Sequence, residues 1–236
     1  MNHVSDAWEI WPELSRPLDS ARRDATRADC LQIWAGLLAR EYVLVDHTTT
    51  LDSTYVAIAR SSSKSRAISP RNQLILEQLC LGDSAKVVAI DAGVSNSTVA
   101  SVLKRSLETF GLKDTSRVPL ALAMLVHSAR GNARVTMGRV SGWIRRGVPC
   151  EILGATLPSL APMLPPAVRD VVCMHAQGDS HARIAVRRRT SQRTVANQLA
   201  TAFSRLGVSG RSGLLVYLSL ASARDNAPAL NLNGGL

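Results

Sequence analysis

Three consecutive arginines, Arg187, Arg188 and Arg189, stand just before the stretch Ser191–Val208, SQRTVANQLATAFSRLGV. Within it Val195, Leu199, Phe203 and Leu206 recur at helical spacing and mark one buried stripe. Arg193, Asn197, Thr201 and Ser204 take the opposite face. Guanidinium groups make charge-assisted hydrogen bonds to anionic oxygens. A helix with a short polar outer face and arginines at its start is what the major groove of a duplex accepts. Ser191 is a suitable N-cap, because its hydroxyl can accept from an orphan N–H of the first turn. Gly207, directly after Leu206, allows a left-handed exit.

The same pattern occurs earlier. Ser95 to Leu112 reads SNSTVASVLKRSLETFGL and lies 96 residues upstream without a gap. Ser95/Ser191, Thr98/Thr194, Val99/Val195, Ala100/Ala196, Leu103/Leu199 and Gly111/Gly207 are identical pairs. At the same offset Pro70 matches Pro166, Gly82-Asp83-Ser84 matches Gly178-Asp179-Ser180, and Ala89 matches Ala185. Register kept over that length marks an internal duplication.

Charge separates the two copies. The chain carries a formal net charge of +10, which predicts an anionic partner. Residues 68–126 hold six basic and five acidic groups, whereas residues 164–222 hold eight and two. Apolar residues make up 46% of the chain but aromatic ones only 4%, which suits small helical cores of Leu, Val and Ala. Cys30, Cys80, Cys150 and Cys173 form no CxxC pair and read as free thiols of a reducing compartment. No signal peptide and no apolar run of about 20 residues is visible, so a soluble, cytoplasmic protein without membrane contact is expected.

Taken in order, residues 1 to 18 lack a stable period, although Trp8 and Trp11 could dock on the body. A helix is predicted from about Asp19 to Arg40, with Leu31, Trp34, Leu37 and Leu38 as its stripe and Asp19 or Thr26 as its cap. EYVLVD (41–46) and TYVAIAR (54–60) predict a β-hairpin, followed by the polar linker SSSKSR. Helices near 70–81, 84–92, 96–110 and 116–128 form the first unit, with Gly93 at the bend before Ser95. A second hairpin is predicted at 139–146 and 150–157, and prolines at 158, 162, 165 and 166 end it. The organisation is therefore 1–67 (helix, hairpin and linker), 68–128 (first unit), 129–163 (linker with hairpin), 164–223 (second unit) and a disordered tail at 224–236. Trp34 and Trp143 read as core fillers.

ISPRNQLILEQLCLGDSAKVVAIDAGVSNSTVASVLKRSLETFGLKDTSR resembles the helix-turn-helix domain of LuxR/GerE-type transcriptional regulators, and so does LPPAVRDVVCMHAQGDSHARIAVRRRTSQRTVANQLATAFSRLGVSGRS. Proline opening the first helix, the Gly-x-Ser turn, Ile/Val-Ala in the second helix, Ser-x-x-Thr-Val opening the third and the Leu-Gly exit carry the resemblance. It implies a mainly α fold of two tandem four-helix units, each preceded by a small β-hairpin. The third helix of each would enter the major groove, and the fourth would pair with another copy.

By resemblance, the base-reading positions fall on Ala100, Ser101 and Lys104 in the first unit and on Ala196, Asn197 and Ala200 in the second. Asn197 could bond adenine bidentately, Lys104 could donate to guanine or phosphate, and the alanines offer only apolar contact. Arg193, Arg205, Arg211 and the 187–189 run suit phosphates. The expected DNA-binding set is Arg187, Arg188, Arg189, Ser191, Arg193, Thr194, Asn197, Gln198 and Thr201, with Ser95, Ser97, Thr98, Ser101, Lys104 and Arg105 in the first unit. The second unit should carry most of the affinity. Arg189-Thr190 replaces Gly93-Val94 at its bend, and Val168 stands where the family shows an acidic residue. The family's receiver and autoinducer-binding domains are longer than the 67 residues ahead of the first unit.

No catalytic constellation can be assembled, so no enzyme activity, cofactor or metal is expected. GDSAK at 82–86 lacks phosphate-loop spacing, Asp46-His47 beside Asp52 reads as turn chemistry, and His175 with His181 does not make a metal site. The expected partner is double-stranded DNA, with RNA polymerase or another regulator as further partners. A homodimer, or an intramolecular pseudo-dimer in which Leu120, Met124 and Leu125 meet Tyr217, Leu218 and Leu220, would use the fourth helices. Two other readings stand beside this one. The first is a protein-interaction module, an adaptor or anti-regulator built on degenerate units; the second is sequence-independent nucleoid binding.

Overall fold

A computed structural model describes residues 23–61, 66–112, 117–133, 135–145 and 148–225, with side chains outside 136–149 and 221–225. The expectations for Trp8, Trp11, the centre of the SSSKSR linker, the side chain of Trp143 and the tail beyond Asp225 lie outside the described residues.

The elements run β1 (Arg23–Asp24), α1 (Arg27–Ala39), β2 (Tyr42–Thr49), β3 (Ser53–Arg60), α2 (Pro70–Leu81), α3 (Ala85–Asp91), α4 (Asn96–Thr109) and α5 (Leu120–Ala129). They continue with β4 (Thr136–Arg145), β5 (Val148–Thr156), α6 (Pro166–Gln177), α7 (His181–Arg187), α8 (Gln192–Leu206) and α9 (Gly210–Asp225). The fold is mainly helical. Helix α9 runs past Arg224, where the sequence had suggested the tail begins.

Capping decides where α1 starts. Thr26 Oγ1 accepts from Asp29 N at 3.1 Å and Asp29 Oδ2 accepts from Thr26 N at 2.9 Å, a reciprocal capping box. The buried stripe is Cys30, Ile33, Trp34, Leu37 and Leu38, while Leu31 is exposed, a correction to the expected stripe. The register follows Trp34, whose ring meets Phe110 edge-on at 5.9 Å and so fixes which side of α1 faces inward.

Both hairpins form, but not as separate pieces. They join through β3 and β5 into one antiparallel five-stranded sheet of order β1-β4-β5-β3-β2. Val56 pairs with Leu153 and Ala57 with Ile152 at the centre of the β3–β5 ladder. At the 96-residue offset Ile152 is the counterpart of Val56, and Leu153 that of Ala57. The duplicated strands thus meet about a local two-fold. Asp46-His47 lies within β2, beside an irregularity in its register, and not in a turn.

The helices repeat with the sequence. Helices α2 and α3 recur as α6 and α7 at the same offset, and α4 recurs as α8 one residue longer. Gly82 and Gly178 end α2 and α6 at φ 102° and 108°, and Ser84 and Ser180 cap α3 and α7.

Helix α5 binds the halves together. Every residue from Leu120 to Ala129 is buried, as expected for a helix that is apolar all round. It packs against α1, α2, α9 and the sheet. Leu120, Met124 and Leu125 share a core cluster with Leu214, Leu215 and Leu218 of α9, and Tyr217 packs against it, so the two fourth helices meet, though through Leu214 and Leu215 and not the expected Leu220. That cluster also holds Val171, Ile184, Val195 and Leu199 of the second unit, whereas Ile75, Val88, Ala89 and Val99 of the first unit form a small core of their own. Among the described residues, no helix is long and apolar enough to cross a membrane.

Candidate nucleic-acid interface

Helix α8 buries Val195, Leu199, Ala202 and Leu206 and leaves Arg193, Asn197, Ala200, Thr201 and Ser204 exposed. Phe203 is half-buried and packs beside the His175 ring at 6.0 Å. Ser191 Oγ accepts from Thr194 N at 3.0 Å and lies 2.9 Å from Thr194 Oγ1, so both hydroxyls are engaged in the cap. Thr201 Oγ1 donates to Asn197 O at 3.0 Å and is returned to its own helix. Gln198 is half-buried, with Oε1 enclosed and without a hydrogen-bond partner among the described residues. Of the expected outer face, Arg193 and Asn197 stand one turn apart and open to solvent.

The arginine run divides. Arg187 Nη1 donates to Asp179 Oδ2 at 2.7 Å, and Arg183 Nε reaches Asp179 Oδ1 at 3.3 Å. Arg188 Nη1 donates to Asp170 Oδ2 at 2.9 Å and ties the turn to α6. Arg189 is exposed and in no ion pair among the described residues. Its φ of 52° is left-handed, matching Gly93 at 61°. A non-glycine residue there is strained by roughly 1–2 kcal/mol.

Arg211, expected from sequence to suit a phosphate, is engaged within the fold. It is half-buried and donates to Val118 O at 2.6 Å, Ala176 O at 3.0 Å and His175 O at 3.1 Å, so it caps α6 and fastens the start of α5 to it. Burial, and then the Arg117 guanidinium, push its pKa down to about 9. Arg205 remains exposed and donates to Met163 O at 3.2 Å.

The first unit is built alike but charged differently. Ser95 Oγ accepts from Thr98 N at 3.1 Å and contacts Ser97 Oγ at 2.7 Å and Thr98 Oγ1 at 2.9 Å. Ser101 Oγ donates to Ser97 O at 2.9 Å. Ala100, Lys104 and Arg105 are exposed on the outer side of α4. Arg71 Nη2 donates to Ala92 O at 2.9 Å and holds the α3–α4 turn, the task that Arg188 and Asp170 perform in the second unit. Asp91 occupies the position of Arg187, with Gln78 Nε2 at 3.3 Å.

Asp170, Asp179 and Arg71 escaped the sequence reading. The spacing of Asp179, Arg183 and Arg187, one helical turn per step, was a usable signal for one pair. His175 and His181 have ring centroids 5.6 Å apart. Burial foremost, then Arg211, Arg117 and His181, push the His175 pKa down to about 3. Among the described residues no group of three or more His, Cys, Asp or Glu could hold a metal ion. No protein-family model, curated protein or solved structure matches the chain.

Proposed function

We propose that this chain binds double-stranded DNA through α8 and acts in transcriptional control, as a cytoplasmic, non-catalytic regulator. The observation that carries this reading is the outer side of α8. There Arg193 and Asn197 are exposed one turn apart, with Arg189 exposed in the turn just before and outside any ion pair among the described residues. The resemblance of both units to LuxR/GerE-type helix-turn-helix domains supports it, as does the cationic balance of residues 164–222. Arg189 and Arg193 would hold phosphates and set register, while Asn197 would read a base edge. Arg187 and Arg188, already ion-paired, would position the turn. Lys104 and Arg105 would add contacts from the nearly neutral first unit. The packing of α5 on α9 supports a pseudo-dimer within one chain, reading half-sites about one helical turn apart, roughly 34 Å.

Selection from random duplexes tests this. The expected result is a recovered motif, with Asn197→Ala relaxing one position of it by about 1–3 kcal/mol. Recovery of no duplex at low ionic strength would sink the proposal. It would favour the second reading, a protein-binding adaptor or anti-regulator. Ion-paired Arg187 and Arg188, and alanine at positions 100, 196 and 200, speak for that reading.

A further inference from the structure

Basic side chains gather where the two units meet. Arg211, at the start of α9, donates through Nε to His175 O and through Nη2 to Ala176 O and Val118 O. Those bonds draw the end of α6 against the start of α5, where Arg117 directly precedes Val118. The His181 ring, at the start of α7, has its centroid 5.6 Å from that of His175. His175 is 3% exposed, and its Nδ1 is enclosed without a hydrogen-bond partner among the described residues. Arg117, His181 and Arg211 are half-buried, which leaves the cluster reachable from solvent.

The repeat shows that the fold does not require this set. At the 96-residue offset His175 corresponds to Leu79, His181 to Ala85, Arg211 to Thr115 and Arg117 to Gly213. In the first unit Leu79 packs on the small core of Ile75, Val88, Ala89 and Val99. A buried imidazole in that place costs stability, because its enclosed nitrogen loses water without a replacement. Like charges add to the cost. Besides burial, the charges of Arg211, Arg117 and His181 all disfavour a proton on His175, and Arg117 disfavours the charge on Arg211. Asp179, the carboxylate nearest His175 in sequence, is engaged by Arg183 and Arg187. Nη1 of Arg211 is in no hydrogen bond among the described residues. Crowded cations whose protonation is perturbed by one another are the mark of a binding site for negative charge.

We propose that this seam binds a small free oxyanion of the phosphate class, held by Arg117, His181, Nδ1 of His175 and Nη1 of Arg211. Guanidinium and imidazole donors match anionic oxygens, and the bound charge relieves the repulsion among the cations. His175 is nearly enclosed, so a phosphate fixed on a rigid duplex does not reach its ring, whereas a small ion can. The ion joins α5 of the first unit to α6, α7 and α9 of the second. Such binding does not require that α8 hold DNA. A few charge-assisted hydrogen bonds to one small ion give a dissociation constant on the order of 1 mM.

Inorganic phosphate titrated into the full chain at constant ionic strength, with chloride as the control, tests this. Phosphate is expected to raise the thermal midpoint, as a ligand of the folded state must. Followed by NMR, the His175 ring titrates at higher pH with phosphate bound, because a nearby anion favours the imidazolium. His181→Gln and Arg117→Gln each weaken binding about tenfold or more. His175→Leu, which installs the residue of the first unit, keeps the fold and weakens binding at least as much. Lys86→Gln, at an exposed cation of the first unit, leaves it unchanged. Circular dichroism verifies that each variant is folded. A midpoint that phosphate raises no more than chloride overturns the proposal. So does binding that survives His175→Leu, His181→Gln and Arg117→Gln, that Lys86→Gln weakens equally, or that leaves the His175 titration in place.

Discussion

Arg187 Nη1 stands 2.7 Å from Asp179 Oδ2, so the first arginine of a run that reads as a phosphate clamp is folded back onto the turn opening its own helix. Asp179, only 8% exposed, also takes Arg183. One carboxylate thus holds two guanidiniums, and Asp170 holds a third cation, Arg188. Near the start of α8, Arg189 and Arg193 are exposed and in no ion pair among the described residues.

Asp179→Asn should therefore destabilise the fold while leaving its cations in place. The arginine ends are partly exposed, so the loss is about 1–2 kcal/mol, as a smaller urea midpoint at unchanged slope. Duplex affinity should hold or rise, because Arg183 and Arg187 are released. A fall in affinity in a folded variant would mean that the pair itself shapes the binding surface.

Arg189→Gly separates backbone strain from charge. Glycine adopts φ near 52° without penalty, so stability should rise by about 1 kcal/mol while duplex affinity drops. Gly93→Ala in the first unit is the converse. A Cβ there meets nothing within 4 Å, so only conformational strain, about 1 kcal/mol, is added. Thermal unfolding of both variants checks this; equal shifts of the same sign would refute the strain at Arg189.

Gly111→Ala should cost more than Gly207→Ala, although the two are repeats of one another. A Cβ on Gly111 would come 2.5 Å from Leu44 O, at the place where Leu44 N donates to Phe110 O at 2.6 Å, whereas a Cβ on Gly207 meets open space. Both have positive φ, so both are strained, and Gly111→Ala adds about 1–3 kcal/mol of overpacking. Similar losses at the two sites would mean that α4 does not pack this closely on β2.

The local devices are legible in the sequence. Ser191 as a cap and Gly207 as a helix exit act within one turn of themselves, so their residue types suffice. What escaped depends on distance along the chain. Ala57 and Ile152 pair across the centre of the sheet, and nothing near either residue announces the other. Arg188 and Asp170 are 18 residues apart and meet only because α6 passes under the turn. Arg211 looks like any basic residue near a helix start until the carbonyls of Val118, His175 and Ala176 are seen to converge on it. The outer side of α8 was legible in its periodicity, but which cations remain open there was not.

Stability should fall on mild acidification. The His175 pKa is pushed down to about 3, and burial lowers those of His127 and His47 as well. The unfolded chain then takes up protons near pH 6.5 that the folded chain refuses. Stability is full above about pH 7, and as the pH falls from about 6.5 toward 3 His175 costs up to about 1.4 kcal/mol per unit, with His127 and His47 acting in the same direction. Unfolding midpoints measured at about pH 7.5 and about pH 5 should differ, and His175→Gln should flatten the difference. A wild type equally stable at both values contradicts the burial of these rings.

The salt dependence of duplex binding tests the central claim most directly. Each phosphate contact contributes about 0.9 to the slope of log affinity against log salt, so Arg189→Ala with Arg193→Ala should flatten it by about 1.8. Lys104→Ala with Arg105→Ala should flatten it less. A wild-type chain that ignores duplex at low salt, or a slope that the α8 pair of substitutions leaves unchanged, would contradict the assignment of α8 as the DNA-binding helix.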